Sequence, residues 1–167
     1  RKESSAASDV YKRQELRVMA HLSGDESLIS ALNNGEDIHT FTAKNIFNVD
    51  NDDMVLPEMR RIAKIVNFGI MYGAGPFRLS QELDIPFGEA KQIKDAYFQK
   101  YQGIEQYIEN SKLQIKETKS VETLLGRKRA VWDSDSQNKI RRDAAERMAI
   151  NMPCLLYTSD AADDSLR

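Results

Sequence analysis

Pro57 to Tyr72, PEMRRIAKIVNFGIMY, is the stretch that most limits what this chain can become. Pro57 suits the first turn of a helix, where a missing N–H is no loss, and Gly73-Ala74-Gly75-Pro76 stops one. At about 100° per residue, Arg60, Lys64, Phe68 and Tyr72 fall at about 0°, 40°, 80° and 120° on the helical wheel. Ile62, Val66, Ala63, Met59 and Ile70 cluster at about 200° to 300°. One face is therefore predicted to be packed, and the other to present two cations followed by two rings. Arg and Lys one turn apart can together hold a polyphosphate, Arg by its planar fork and Lys as a point charge. Phe68 and Tyr72 offer flat surfaces for a base or sugar, and Gly69 removes a side chain where something flat must approach the backbone. Spacing alone favours a plainer reading, a surface helix with a solvated basic edge and an aromatic staple.

The neighbouring segments are mostly helical as well. Glu15 to Leu22 can finish a strand or open a helix, and Ser23-Gly24-Asp25 reads as a turn. A short helix over Ser27 to Leu32 is closed by Asn33-Asn34-Gly35, and Asp37 is an N-cap for a helix over Ile38 to Phe47. After a polar loop at Asn48 to Asp53 and the Pro57 helix come a brief helix at Leu79 to Leu83 and longer ones at Gly88 to Gln99 and Gly103 to Thr118. Ile93, Tyr97, Tyr101, Ile104, Tyr107 and Ile108 form the apolar stripe of the long pair. Val121 to Leu125 and Arg129 to Trp132 flank Gly126-Arg127, a hairpin signal, and Ser134 or Asp135 is expected to cap a last helix ending at Pro153. The fold class expected is mainly α, in the α+β sense, with one β-hairpin.

Composition narrows the rest. A net charge of −2, from 24 Lys+Arg against 26 Asp+Glu, excludes an arginine-rich arm as the basis of function but says nothing of a local basic face. One Cys excludes an internal disulfide framework and a multi-cysteine zinc site. No apolar run approaches the roughly 18 residues of a membrane span, and no leader pattern opens the chain, so a cytoplasmic protein with no membrane partner is expected. The two ends stand apart. Ser4 to Gln14, SSAASDVYKRQ, can be back-translated so that its reverse complement, shifted by one base, encodes CLLYTSDAAD, which is Cys154 to Asp163. Such an inverted repeat looks like a translated transposon-type sequencing adapter. Residues 1–14 and 154–167 are accordingly expected to be non-native, leaving 15–153 as the natural segment.

The literal string RRIAKIVNFGIMYG resembles motif B of the family A DNA polymerases, R-x-x-x-K-x-x-x-F-G-x-x-Y-G. Other segments follow that family's order. ELRVMAHLSGDESL resembles the part of motif A after its catalytic aspartate, and GEDIHTFTAKNIF resembles the histidine-bearing helix ahead of motif B. TLLGRKRAV and RRDAAERMAINMP resemble the hairpin and the helix that lead towards motif C. The likeness covers essentially all of 15–153 and is nearest to the bacterial polymerase I kind. It implies a helical fingers subdomain with partial palm pieces, from an enzyme that adds a template-matched dNTP to a primer 3′-hydroxyl. DNA primer-template and dNTP are the implied partners, with the enzyme monomeric.

The resemblance also implies roles. Arg60 and Lys64 would bind the dNTP triphosphate, with Lys64 as the catalytic group that protonates the leaving pyrophosphate. His39 would contact the same phosphates. Phe68 would stack at the sugar and base, and Phe rather than Tyr there implies discrimination against dideoxynucleotides. Tyr72 would occupy the templating-base site in the open state, Gly69 would lie beside it, and Glu15 would be the steric gate against a 2′-hydroxyl. Arg147 and Asn151, at i and i+4, would face the primer-template minor groove, and Arg127 a backbone phosphate. The family's metal-binding aspartates, in D-Y-S-Q-I-E-L-R and H-D-E, do not occur here, since Gln14 directly precedes Glu15 and CLLYTSDAAD follows Pro153. Mg²⁺ is thus expected of a longer parent protein and no metal ligands of this chain, which alone should be inactive. A non-catalytic nucleotide- or nucleic-acid-binding module is the alternative.

Overall fold

The computed structural model describes residues 14–122 and 126–164, with side chains described within 14–122 and 126–153. Two compact units divide the chain, one spanning Gly24–Gln106 and the other made of the segments up to Ser23 and from Tyr107 onward.

Helix α1 occupies 14–23, taking the helical option at Glu15 to Leu22. It buries Leu16, Val18, Met19 and Ala20. In the Gly24–Gln106 unit follow α2 (Glu26–Asn33), α3 (Ile38–Phe47), a 3-10 turn (Asp52–Met54), α4 (Pro57–Met71), α5 (Pro76–Leu83) and α6 (Phe87–Lys100). Helix α7 (Gln102–Thr118) then starts. Asp37 caps α3 as expected, its carboxylate accepting from the His39 amide at 3.0 Å. Asn48 ends that helix in the left-handed region, φ 53°, where a short polar side chain is tolerated. Pro57 and Pro76 both sit at the first helical position. The latter makes α5 longer at its start than the apolar spacing of Leu79 and Leu83 alone indicates.

Asp25 ties this unit together. One carboxylate oxygen accepts from Leu28 N at 3.0 Å, capping α2, and the other accepts from Gly103 N at 2.8 Å, in the first turn of α7. That double use requires glycine at 103, where an added Cβ would lie 2.8 Å from Asp25 Cα. Alanine gains about 1 kcal/mol of helix propensity over glycine. Against rigid backbone it meets an overpacking cost of about 1–3 kcal/mol and misaligns both caps. Gly103→Ala is therefore expected to lower the midpoint of thermal unfolding by several degrees, and a midpoint equal to or above wild type in a calorimetric scan would refute this packing.

The other unit holds the remainder of α7, strands β1 (Ser120–Glu122) and β2 (Lys128–Ala130), a 3-10 turn (Trp132–Asp135) and α8 (Lys139–Asp164). The strands pair antiparallel with Val121 opposite Arg129, as a hairpin around Gly126, φ 80°. The hairpin signal holds, but the connection spans 123–127, of which 123–125 lie outside the described residues. Ile115, Val121, Val131, Ala145, Ala149 and Met152 form the core here.

Three expectations fail in this unit. The second strand stops at Ala130, and Trp132 lies in the 3-10 turn, 78% exposed, because the partner strand begins only at Ser120, the residue opposite Ala130. Ser134 and Asp135 do not cap α8. They are held by Lys119, whose Nζ lies 3.2 Å from Ser134 Oγ and 2.8 Å from Asp135, and Asn138 caps instead, accepting from Ile140 N at 2.9 Å. Helix α8 runs past Pro153 to Asp164, since a proline removes one hydrogen bond of a helix without removing the turns on either side. Among the described residues no helix is long and apolar enough to cross a membrane.

Candidate functional site

Helix α4 packs on α3 and α5. Its buried residues are Ala63, Val66, Asn67, Gly69, Ile70 and Met71, while Met59 and Ile62 are half-buried. The covered arc is wider than the apolar residues alone predict, because two helices cover α4 rather than one. The opposite stripe keeps its expected character. Arg60 is exposed, and Lys64, Phe68 and Tyr72 are half-buried, so none of the four is sealed in the core.

Helix α3 supplies the second wall. Arg60 Nε lies 2.7 Å from Asp37 Oδ2, and the same carboxylate accepts from the His39 amide and from Thr40 Oγ1 at 3.2 Å. The helix cap and the basic edge thus share one carboxylate. His39 is half-buried and meets the Phe68 ring edge-on, with centroids 5.5 Å apart. Arg60, Asp37, His39 and Phe68 therefore converge where the start of α3 crosses α4, with Lys64 between the first and last of them along α4.

Partial burial pushes the Asp37 carboxyl up, but the hydrogen bonds and charge of Arg60, with the His39 amide and the Thr40 hydroxyl, outweigh it and hold the group below its ordinary value of 3.8. A depressed carboxyl stabilises the fold fully above the unfolded value and ceases to do so as pH falls through the folded one. Asp37→Asn is thus expected to be less stable than wild type at neutral pH, with the gap narrowing below pH 3.8. A gap that stays constant in acid, measured by urea unfolding, would show that Asp37 titrates identically in both states.

Three residues that sequence reasoning missed lie behind His39. Asn67 Nδ2 is 3.1 Å from His39 Nδ1, Asn67 Oδ1 accepts from Thr42 Oγ1 at 3.1 Å, and Thr42 Oγ1 is 2.8 Å from Tyr101 OH. Asn67, Thr42 and Tyr101 are all at most 1% exposed. Asn67 carried little signal, since at about 340° on the wheel it falls beside Arg60 and outside the apolar arc of α4. Thr42 and Tyr101 carried none, because an isolated sequence does not show which buried hydroxyls meet.

Gly69 has a different reason from the one expected. It is buried, and an added Cβ would lie 2.9 Å from Leu79 Cδ2 and 3.6 Å from Ala74 Cβ. The flat object approaching the α4 backbone here is the side of α5.

The remaining expected site residues belong to the other unit. Glu15 is half-buried near the start of α1, and Arg127 is exposed beside the hairpin turn. Arg147 and Asn151 sit one turn apart on α8, both half-buried, and Asn151 Oδ1 is buried with no hydrogen-bond partner among the described residues. Also among the described residues, no three His, Cys, Asp or Glu side chains gather in a way that could hold a metal ion.

Comparison with known proteins agrees with this arrangement of helices. The chain is 49% identical over 143 residues to "DNA polymerase I, thermostable" of Thermus aquaticus, covering 86% of this chain and 17% of that protein. It is 43% identical over 152 residues to DNA polymerase I of Lactococcus lactis, covering 91% of this chain and again 17% of the relative. This chain thus spans about a sixth of the length of those relatives. Among solved structures, the POL domain of Pol1 from M. smegmatis, in complex with DNA primer-template and dNTP, superposes with a TM-score of 0.79. The two are 41% identical, over 84% of this chain and 24% of that one. The family model for DNA polymerase family A matches residues 2–162, and with relatives of this similarity the chain belongs to DNA polymerase family A.

Proposed function

We propose that this chain is the incoming-nucleotide part of a DNA-directed DNA polymerase, built to hold a dNTP against a templating base. The observation that carries the reading is that Arg60 and the His39 amide meet at Asp37 while the His39 ring meets Phe68, with Lys64 on the same side of α4. Arg60 and Lys64 bind the triphosphate, and His39 adds a neutral or charged donor beside them. The Phe68 ring lies within one turn of Lys64, which suits a sugar and base continuous with bound phosphates. Tyr72 caps the helix two turns from Lys64, on the side a templating base would occupy.

In the reaction the primer 3′-hydroxyl loses its proton to water, its oxygen bonds to the α-phosphorus, the bond from that phosphorus to its bridging oxygen breaks, and pyrophosphate leaves. Lys64 Nζ gives a proton to the leaving oxygen. Positioning and charge do most of the work in such transfers, and these are what the α3–α4 pair supplies. A divalent metal, Mg²⁺, would supply Lewis-acid help when bound, and since no three His, Cys, Asp or Glu side chains gather among the described residues to hold it, the chain alone is proposed to bind dNTP weakly and to extend no primer. Glu15 is assigned the 2′-hydroxyl gate, Arg147 and Asn151 the primer-template minor groove, and Arg127 a backbone phosphate. An acceptor such as the orphaned Asn151 Oδ1 suits a guanine amino group once the side chain turns outward.

The test is a graft. Residues 15–153 replace the matching segment of the Thermus aquaticus relative, and the chimera is assayed for template-directed primer extension. Extension that depends on Arg60 and Lys64 is expected. A folded chimera that binds primer-template but takes up no dNTP would leave only a structural helical domain.

A further inference from the structure

We infer that Asn67, acting with the buried hydroxyls of Thr42 and Tyr101, fixes the tautomer of His39, so that Nδ1 accepts a hydrogen bond and Nε2 carries the N–H offered to phosphate. The inference rests on the reading of His39 as a phosphate donor, and concerns how that donor is prepared.

The direction of the hydrogen bonds decides it. Each hydroxyl has a single proton to give. Tyr101 is 1% exposed, and Thr42 Oγ1, 2.8 Å away, is the hydrogen-bond partner of its phenol among the described residues. Burial raises the phenol well above its ordinary range, so the proton stays on and needs an acceptor. Thr42 is that acceptor, which commits its own proton to Asn67 Oδ1 at 3.1 Å. The amide is then oriented with Nδ2 towards His39, and an N–H at 3.1 Å from Nδ1 requires a lone pair there. In the neutral ring the proton must sit on Nε2.

The reverse arrangement runs into a cost. With Nδ1 protonated, Asn67 turns its oxygen to the histidine and its amino group to Thr42, and Thr42 donates to Tyr101. The phenolic proton is then left without an acceptor in a site closed to water, which native proteins rarely tolerate. A tyrosine at the end of α6 thus determines which nitrogen of a histidine on α3 is a donor. The relay passes through Asn67 on α4, the helix that also carries Arg60, Lys64 and Phe68. Asn67 is a positioning residue. It offers no atom to the nucleotide, but without it His39 could present a lone pair to an anion.

The experiment uses the 167-residue chain labelled with ¹⁵N-histidine, with His21→Gln leaving one imidazole. Long-range proton–nitrogen correlation at about pH 8, above the ordinary histidine value of roughly 6.5, reads which nitrogen bears the proton. The expected spectrum has an unprotonated Nδ1 and a protonated Nε2. Asn67→Asp keeps an oxygen for Thr42 and presents a second oxygen to the ring, so it should place a proton on Nδ1. Tyr101→Phe removes the proton that sets the direction and should give a mixture of tautomers. A wild-type ring protonated on Nδ1 or already mixed overturns the inference. So does an unchanged pattern in Asn67→Asp with its backbone amide spectrum intact. If Asn67→Asp unfolds, an unchanged pattern in Tyr101→Phe overturns it equally. Titration with dATP separates the two claims. A perturbed Nε2 signal, with at least tenfold weaker dATP binding in Asn67→Asp, supports both. A fixed tautomer that ignores dATP overturns the phosphate role of His39 and leaves the hydrogen-bond assignment standing.

Discussion

Lys64→Ala in the grafted polymerase is expected to slow nucleotide addition by about 10²–10⁴-fold, the usual worth of a placed general acid. The loss should fall mainly on kcat if, as proposed, Arg60 and His39 still hold the phosphates. Lys64→Arg separates the two contributions of the lysine. It keeps a cation near the triphosphate, so KM for dNTP stays close to wild type. A guanidinium does not release its proton in a protein, so kcat remains low. Rapid-quench measurement of single-nucleotide addition decides the matter. If Lys64→Arg restores kcat, the lysine acts as charge alone and the proton comes from elsewhere. Arg60→Ala should behave oppositely, raising KM about tenfold. Its ion pair with Asp37 is nearly half-exposed on both sides. Such a pair is worth about 0–1 kcal/mol, so the guanidinium can exchange the carboxylate for a phosphate at little cost.

The second large effect concerns the α4–α5 contact. Leu79 is fully buried and its Cδ2 fills the space left by Gly69. Leu79→Ala should cost about 2–5 kcal/mol from lost burial and the cavity left behind. Gly69→Ala should cost about 0–2 kcal/mol net, because displacing the Leu79 methyl 2.9 Å away costs about 1–3 kcal/mol while alanine gains about 1 kcal/mol of helix propensity over glycine. Combined, the two changes should be less harmful than their sum by about 1–2 kcal/mol, since the alanine at 69 occupies part of the space vacated at 79. Additive costs in denaturant unfolding would mean that Gly69 serves something other than packing against α5.

Much of the helical layout was legible because it rests on local chemistry. Asp37 caps through its own side chain, Pro57 starts a helix because a first-turn residue needs no N–H, and Asn48 ends one through a backbone region few residues accept, whereas Pro76, expected as part of a stop, also begins α5. The second unit was read less well for the same reason in reverse. Ser134 and Asp135 have the chemistry of caps, but Lys119, distant in sequence, claims both, and local rules cannot register that competition. Gly69 shows the limit at the site itself, since a bare backbone suits a ligand and a neighbouring helix alike.

By itself the sequence determined which side of α4 stays uncovered, because 3.6-residue periodicity sorts Arg60, Lys64, Phe68 and Tyr72 from the apolar residues whatever packs against them, and the motif string marked the family. Tertiary structure alone decided that Asp37 holds Arg60 as well as its own helix, and that His39 leans on Phe68. It alone also joined Tyr101, Thr42 and Asn67 behind the histidine. Those are meetings between side chains far apart along the backbone, and their hydrogen bonds have directions only once every partner is in place.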